Sequence, residues 1–261
     1  MIQPSSFWID NRQSDLGLGC NLGRSEDAIG PLPKGESYTP GTPNVWGAIT
    51  ADSANGIVYL VTGNTSPDYF IGDRRSFDDK FGTSIVALDV ATGTLIWHRQ
   101  LVQRDMWDMD VPIEPSLFEY RTTDGNTIPA LIQTTKMGQL YFLNRLTGEP
   151  ITPIAELPVP LDGAIPGEKL SPTQPYSIGI PSFTPKDPTE EATWGARPVD
   201  QLLCRIDFRR ARAAGIYKSV GLEPIIGHPS FNGINDWGGY RSGARHHDHQ
   251  YDGSPLQDLA G

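Results

Sequence analysis

The chain has 261 residues, a formal net charge of −10, 28 Gly and 23 Pro. With no basic run longer than two residues, nucleic acid and anionic membrane surfaces are poor partners. No stretch reaches the roughly 18 apolar residues of a spanning helix, and "MIQPSSFWIDN" lacks the basic end and apolar centre of a signal peptide.

In chain order, residues 1–28 show no readable pattern, and strands begin after Val45. "GIVYLVTGN", from Gly56 to Asn64, is a β-branched and aromatic run that stops at Gly-Asn. "TSIVALDVATGTLIWHRQ", from Thr83 to Gln100, reads as two strands around a turn built on Asp89, Thr92 and Gly93. "IPALIQTTKMGQLYFLNRLTGEPI", from Ile128 to Ile151, reads as a strand, a turn at Lys136-Met137-Gly138, a second strand and a second Thr-Gly turn. Gly93 and Gly148 lie 55 residues apart (148 − 93), and a strand followed by D/N-x-x-T-G occurring twice suggests a repeat such as a propeller blade.

Beyond Thr152 the chain is proline-rich to about residue 190, a loop-like excursion with little room for strands. Asp200 to Tyr217 predicts a helix, with either an apolar face of Leu203, Ile206 and Ala211 or, equally, a solvated face carrying its four arginines. The tail, residues 240–261, is polar and patternless and is expected to be disordered. Its His246, His247, Asp248 and His249 have no ordered surroundings to fix a metal geometry. Cys20 and Cys204 permit one disulfide without arguing for it.

The densest chemistry lies in "QRDMWDMDVP", Gln103 to Pro112, which sets Asp105, Asp108 and Asp110 among Met106, Trp107 and Met109. This stretch is either a strand end with apolar side chains inward and acids in water, or the wall of an active site. Strand alternation would point Asp110 to the face opposite Met109.

Eight motifs in fixed order carry a family resemblance: "TPNVWG", "VYLVTGNTSPDYF", "ALDVATGTLIW", "DMWDMDVP", "TKMGQLYFLNRLTGEP", "SPTQPYS", "TWGARPVDQLLCRIDF" and "NDWGG". Together, over residues 29–239, the chain resembles the membrane-bound quinoprotein dehydrogenases of the glucose/quinate/shikimate type, which use pyrroloquinoline quinone (PQQ). The resemblance implies an all-β fold, an eight-bladed propeller in complete members, closed around PQQ and a divalent cation, Ca²⁺ or Mg²⁺. At roughly 50 residues per blade this chain supplies about half of such a ring, so a fragment is expected. The resemblance further implies oxidation of a small polyol, ubiquinone as electron acceptor, and a place at the periplasmic face of the inner membrane. A non-catalytic propeller scaffold and a gene remnant are the competing readings.

Carried over residue by residue, the resemblance makes Asp108 the catalytic base and Trp46 the ring that stacks on PQQ. It sets Lys136 against the quinone oxygens and Trp237 in the pocket. Asn64, with Asp10 and Asn11, would face the metal. Arg104 departs from the family's pattern, and an arginine beside the base is expected to lower its pKa.

Overall fold

The computed structural model describes residues 43–75, 77–211 and 215–236. Asp10, Asn11, Cys20, Trp237 and the histidine-rich tail lie outside the described residues. The fold is all-β, built of antiparallel sheets, with one α-helix among the described residues. Strands β1 (Thr50–Asp52), β2 (Ile57–Val61), β3 (Ser84–Asp89) and β4 (Leu95–Gln100) form a four-stranded meander. Strands β5 (Ser116–Arg121), β6 (Thr127–Thr134) and β7 (Leu140–Asn144) form a second, three-stranded one.

The two meanders repeat one another. β5-β6-β7 corresponds to β1-β2-β3, and each third strand runs into a Thr-Gly turn. In the first, Gly93 N–H donates to Asp89 O at 2.7 Å and Asp89 N–H to Thr94 O at 2.9 Å. In the second, Gly148 N–H donates to Asn144 O and Asn144 N–H to Glu149 O, both at 2.8 Å. Both glycines are left-handed, at φ +70° and +73°, which a side chain would resist. After the first turn the chain forms β4. After the second, Pro150 makes a single bridge to Leu143 before Pro153 follows, and no fourth strand develops there.

The core sits between the two sheets. Ile57, Tyr59 and Val61 of β2, Ile85 and Ala87 of β3, and Trp97 of β4 pack with Leu131, Tyr141 and Leu143 of the second sheet. Each fully buried aliphatic or aromatic side chain here contributes about 1.5–3 kcal/mol. Tyr59 O–H and Trp97 Nε1–H both donate to the carbonyl of Arg145, at 2.9 and 3.0 Å, so both polar tips are satisfied. Val58, Leu60, Val86 and Leu88 are buried on the opposite face of the first sheet, which explains why β2 lacks an inside–outside alternation.

Two expectations are corrected. The proline-rich stretch contains strands: β8 (Ile154–Pro158) pairs with β9 (Thr173–Ser177) in a two-stranded sheet. Its prolines are tolerated because each strand has only one neighbour, leaving one edge free of ladder bonds. The helix, α1, is shorter and shifted, Pro198–Arg210, with Pro at its start, and it buries no residue. Leu203 is exposed. The helix is held instead by Arg205 and Arg209, which both pair with Glu190.

Candidate active site

All the site loops emerge at the sheet ends opposite the Thr-Gly turns. Trp46 precedes β1, Asn64 follows β2, the acidic stretch joins β4 to β5, and Lys136 joins β6 to β7. Antiparallel pairing therefore brings residues up to 90 positions apart (136 − 46) to one rim.

Close backbone approaches lock these loops together. A Cβ on Gly47 would stand 2.2 Å from Pro112 O, so the segment carrying Trp46 lies flat on the acidic stretch. A Cβ on Gly63 would meet Asn44 Oδ1 at 2.6 Å, Trp46 Nε1 at 3.1 Å and Asp110 Oδ1 at 3.2 Å. Only glycine leaves that corner open. On the far side, Ile234 N–H donates to Lys136 O at 2.8 Å and Gly233 lies against the lysine's stem.

Within this frame Lys136 is the hub. Its Nζ donates to Asp108 O at 2.8 Å and stands 3.8 Å from Asp108 Oδ2 and 3.5 Å from Asp110 Oδ2. It also lies 5.8 Å from the centroid of the half-buried Trp46 ring. At 4 % exposure Lys136 is not a solvated turn lysine. Three of the residues expected at the site, Trp46, Asp108 and Lys136, are thus brought together, with Lys136 between the other two.

Gln103 to Pro112 is irregular loop, neither strand nor water-facing turn. Met106, Trp107 and Met109 are buried against Ile71, Val102, Met137 and Tyr217. Asp105 and Asp110 are buried as well, so the acids do not face water. Asp110 accepts the backbone N–H of Asn64 and faces Lys136, as Asp108 does.

Burial pushes the Asp108 carboxyl up to about 7; the neighbouring Asp110 charge adds to the rise and Lys136 opposes it. The expected effect of Arg104 is not found. Its guanidinium pairs with Asp79 at 2.8 Å and with the carbonyl of Ile71 at 3.2 Å, and so serves a different carboxylate.

Asn64 is buried with its carboxamide engaged on all sides. Its Oδ1 accepts Thr65 N–H at 2.7 Å and Arg74 Nη2–H at 3.3 Å, and its Nδ2 donates to Asp68 O at 3.3 Å. Arg74 has no exposed side-chain surface and is held by Asp79 and by the carbonyl of Pro67. An oxygen committed to a guanidinium is poorly disposed toward a cation. Among the described residues no group of three His, Cys, Asp or Glu side chains converges as a metal site.

Sequence reasoning missed Arg74, Asp79 and Thr83. The first two lie in "IGDRRSFDDKF", whose alternating charges read as solvated surface, and nothing local betrays their burial.

Residues 22–247 match the PQQ-dependent glucose/ethanol/alcohol dehydrogenase β-propeller domain. The chain belongs to this family. It is 45% identical over 202 residues to the glycerol dehydrogenase large subunit of Gluconobacter oxydans, covering 77% of this chain and 27% of that protein. It is 39% identical over 234 residues to a probable quinate dehydrogenase (quinone) of Xanthomonas campestris, covering 90% and 29%. It is 36% identical over 211 residues to quinoprotein glucose dehydrogenase A of Acinetobacter calcoaceticus, covering 79% and 26%. The chain thus spans about a quarter of the length of these relatives. No helix among the described residues is long and apolar enough to cross a membrane.

Proposed function

We propose that this segment is part of the active site of a PQQ-dependent dehydrogenase that oxidises a sugar or cyclic polyol of the glucose or quinate type. The observation that carries the reading is the Asp108–Lys136–Trp46 arrangement: a carboxyl raised to about 7, 3.8 Å from a buried ammonium, beside a half-buried indole. A scaffold has no use for a buried cation facing two carboxylates that burial disfavours.

The residues fit a flat, anionic cofactor. Trp46 offers an indole face, and stacking a planar heteroaromatic there is favourable by about 1 kcal/mol beyond area burial. Lys136 offers the positive charge for carbonyl oxygens, and Gly63 keeps the corner clear of side-chain atoms. When bound, PQQ supplies the two-electron acceptor for a hydride from the alcohol carbon. Asp108 takes the hydroxyl proton. Its raised pKa makes it a stronger base than a solvated carboxylate, and it is substantially ionised near neutral pH. Lys136 keeps both carboxylates oriented while its ammonium favours negative charge developing nearby.

Trp237 belongs to the same proposal as a further pocket residue. A hard cation, Ca²⁺ or Mg²⁺, suits oxygen donors, and Asp10, Asn11 and Asn64 are its candidates. Asn64 supplies an oxygen only by releasing Arg74. Ubiquinone as acceptor and a periplasmic membrane location complete the proposal on the strength of the family resemblance.

The test is reduction of an artificial electron acceptor by the full-length protein carrying this segment, with and without PQQ. Glucose or quinate is expected to drive PQQ-dependent reduction. Failure of every sugar and polyol tried, with PQQ shown to be bound, overturns the reading.

A further inference from the structure

The buried carboxylate of Asp105 is not paired with Lys136 but faces inward to the backbone, so a direct role in chemistry does not explain it. Both of its oxygens are engaged. Oδ2 accepts the Thr83 hydroxyl at 2.7 Å and Met109 N–H at 2.9 Å, and Oδ1 accepts Trp107 N–H at 2.9 Å. The last two donors flank Asp108 on either side. Between them Asp108 is left-handed, at φ +58°. Thr83 and Arg104 are left-handed too, at +46° and +47°, so three of the described non-glycine residues in this region surround one carboxylate. A β-branched residue such as Thr83 rarely adopts that conformation, and each such residue costs about 1–3 kcal/mol unless its surroundings enforce it.

Resting on the reading of Asp108 as the base, we propose that Asp105 is a positioning residue. It clamps the amides of Trp107 and Met109 so that Asp108 is held left-handed with its carboxyl projecting toward Lys136. Thr83, anchored at the start of β3 by Thr83 N–H donating to Gly63 O at 2.9 Å, ties this clamp to the sheet. An ionised carboxylate suits the clamp best, because all three of its partners are donors and it donates to none of them. Burial pushes Asp105 up to about 6, opposed by the bonds from Thr83 and Trp107, with Asp110 raising it and Arg74 lowering it. It thus remains ionised under the neutral conditions in which Asp108 is to act.

The test is a double-mutant cycle in the full-length enzyme carrying this segment, using Asp105→Asn, Asp108→Asn and the pair. Asp105→Asn keeps the size but removes one acceptor, and kcat is expected to fall roughly 10–10²-fold, the usual worth of a buried bond to a charged group. PQQ titration by absorbance should be unchanged. In the Asp108→Asn background the further loss should be under about threefold, because there is no base left to position. Full kcat in Asp105→Asn, or an equal loss in both backgrounds, overturns the clamp. Should Asp105→Asn fail to fold, the same cycle with Thr83→Ala, which removes one bond, decides it by the same criterion. An active Asp108→Asn enzyme refutes the base assignment instead, and is seen in the single variant alone.

Discussion

The two ends of the larger sheets differ in what holds them. At one end, Asp89–Thr94 and Asn144–Glu149 make the same turn twice, each closed by the same two backbone hydrogen bonds within six residues. At the other, the loops around Asn64, Asp108 and Lys136 share no pattern and are joined by contacts spanning tens of residues, such as Lys136 to Asp108 and Asn64 to Asp110. The turn end closes its backbone locally and adds longer reaches only through residues such as Arg145, which meets Tyr59, Trp97 and Asp52; the site end buries Asp105, Asp110, Arg74 and Lys136. Turns can be repeated from one sheet to the next because the bonds that close them need only their own residues. A catalytic rim cannot, because each loop contributes a different group to one shared arrangement.

The largest effect that sharpens this comparison is expected at Asp108. Asp108→Asn keeps shape and removes the proton acceptor, and turnover should fall by roughly 10²–10⁴. PQQ binding, followed by absorbance, should persist, since Trp46 and Lys136 remain. Steady-state kinetics of the full-length enzyme decides it. A variant with more than a tenth of the parent turnover would show that the site end tolerates exchange as turns do.

Next comes Lys136→Met, which removes the cation between the two carboxylates. A loss in kcat of about 10² is expected from removing one preorganised charge. The pH profile adds a sign. Asp108 must be ionised to act, so kcat/KM rises with pH through about 7 and levels above it. Lys136 holds that value down, so its loss should move the midpoint upward. A downward or absent shift would sever Lys136 from Asp108.

How much of this was legible follows from the same division. The strands β2, β3, β4, β6 and β7 and both Thr-Gly turns could be read directly, because their signals are local: apolar runs bounded by Asp, Asn, Thr and Gly. Asp108, Lys136 and Trp46 could be named only through family motifs, and their convergence depends on pairing registers that no short window contains. Arg74 and Asp79 were invisible because a buried ion pair and a solvated one have the same sequence. Strands β8 and β9 were missed because prolines were read as excluding pairing, whereas in a two-stranded sheet they cost one edge only.

At the turn end, effects should fall on stability and leave chemistry alone. Gly148 is left-handed, and a Cβ there would press onto the Trp97 ring at 2.7 Å. Gly148→Ala should destabilise by roughly 1–3 kcal/mol, read from thermal unfolding, with kcat unchanged. Gly125, at the tip of the β5–β6 hairpin, is also left-handed at φ +85° but has nothing within 4 Å of its Cβ position. Gly125→Ala should therefore cost about 1 kcal/mol, the conformational penalty alone. Equal losses at the two sites would mean that Trp97 yields to the added methyl.

The smallest effect is the most pointed, because it uses the same chemical change as the largest. Asp89 Oδ1 accepts the N–H groups of Ala91 and Thr92, at 3.0 and 2.8 Å, and the Thr92 hydroxyl at 2.8 Å. In the second sheet Asn144 occupies the equivalent place, its Oδ1 accepting Leu146 N–H at 2.9 Å. An amide oxygen therefore suffices for this turn, and the full charge of Asp89 is exposed to solvent, where it is worth little. Asp89→Asn should shift Tm by less than about 2 °C, the range of an exposed substitution that keeps its hydrogen bonds. Turnover should match the parent. Losing one carboxylate oxygen would thus be nearly silent at Asp89 and cripple the enzyme at Asp108, a few residues beyond the far end of the same sheet. A Tm drop of several degrees in Asp89→Asn would show that the two turns, alike in backbone, are held by different forces.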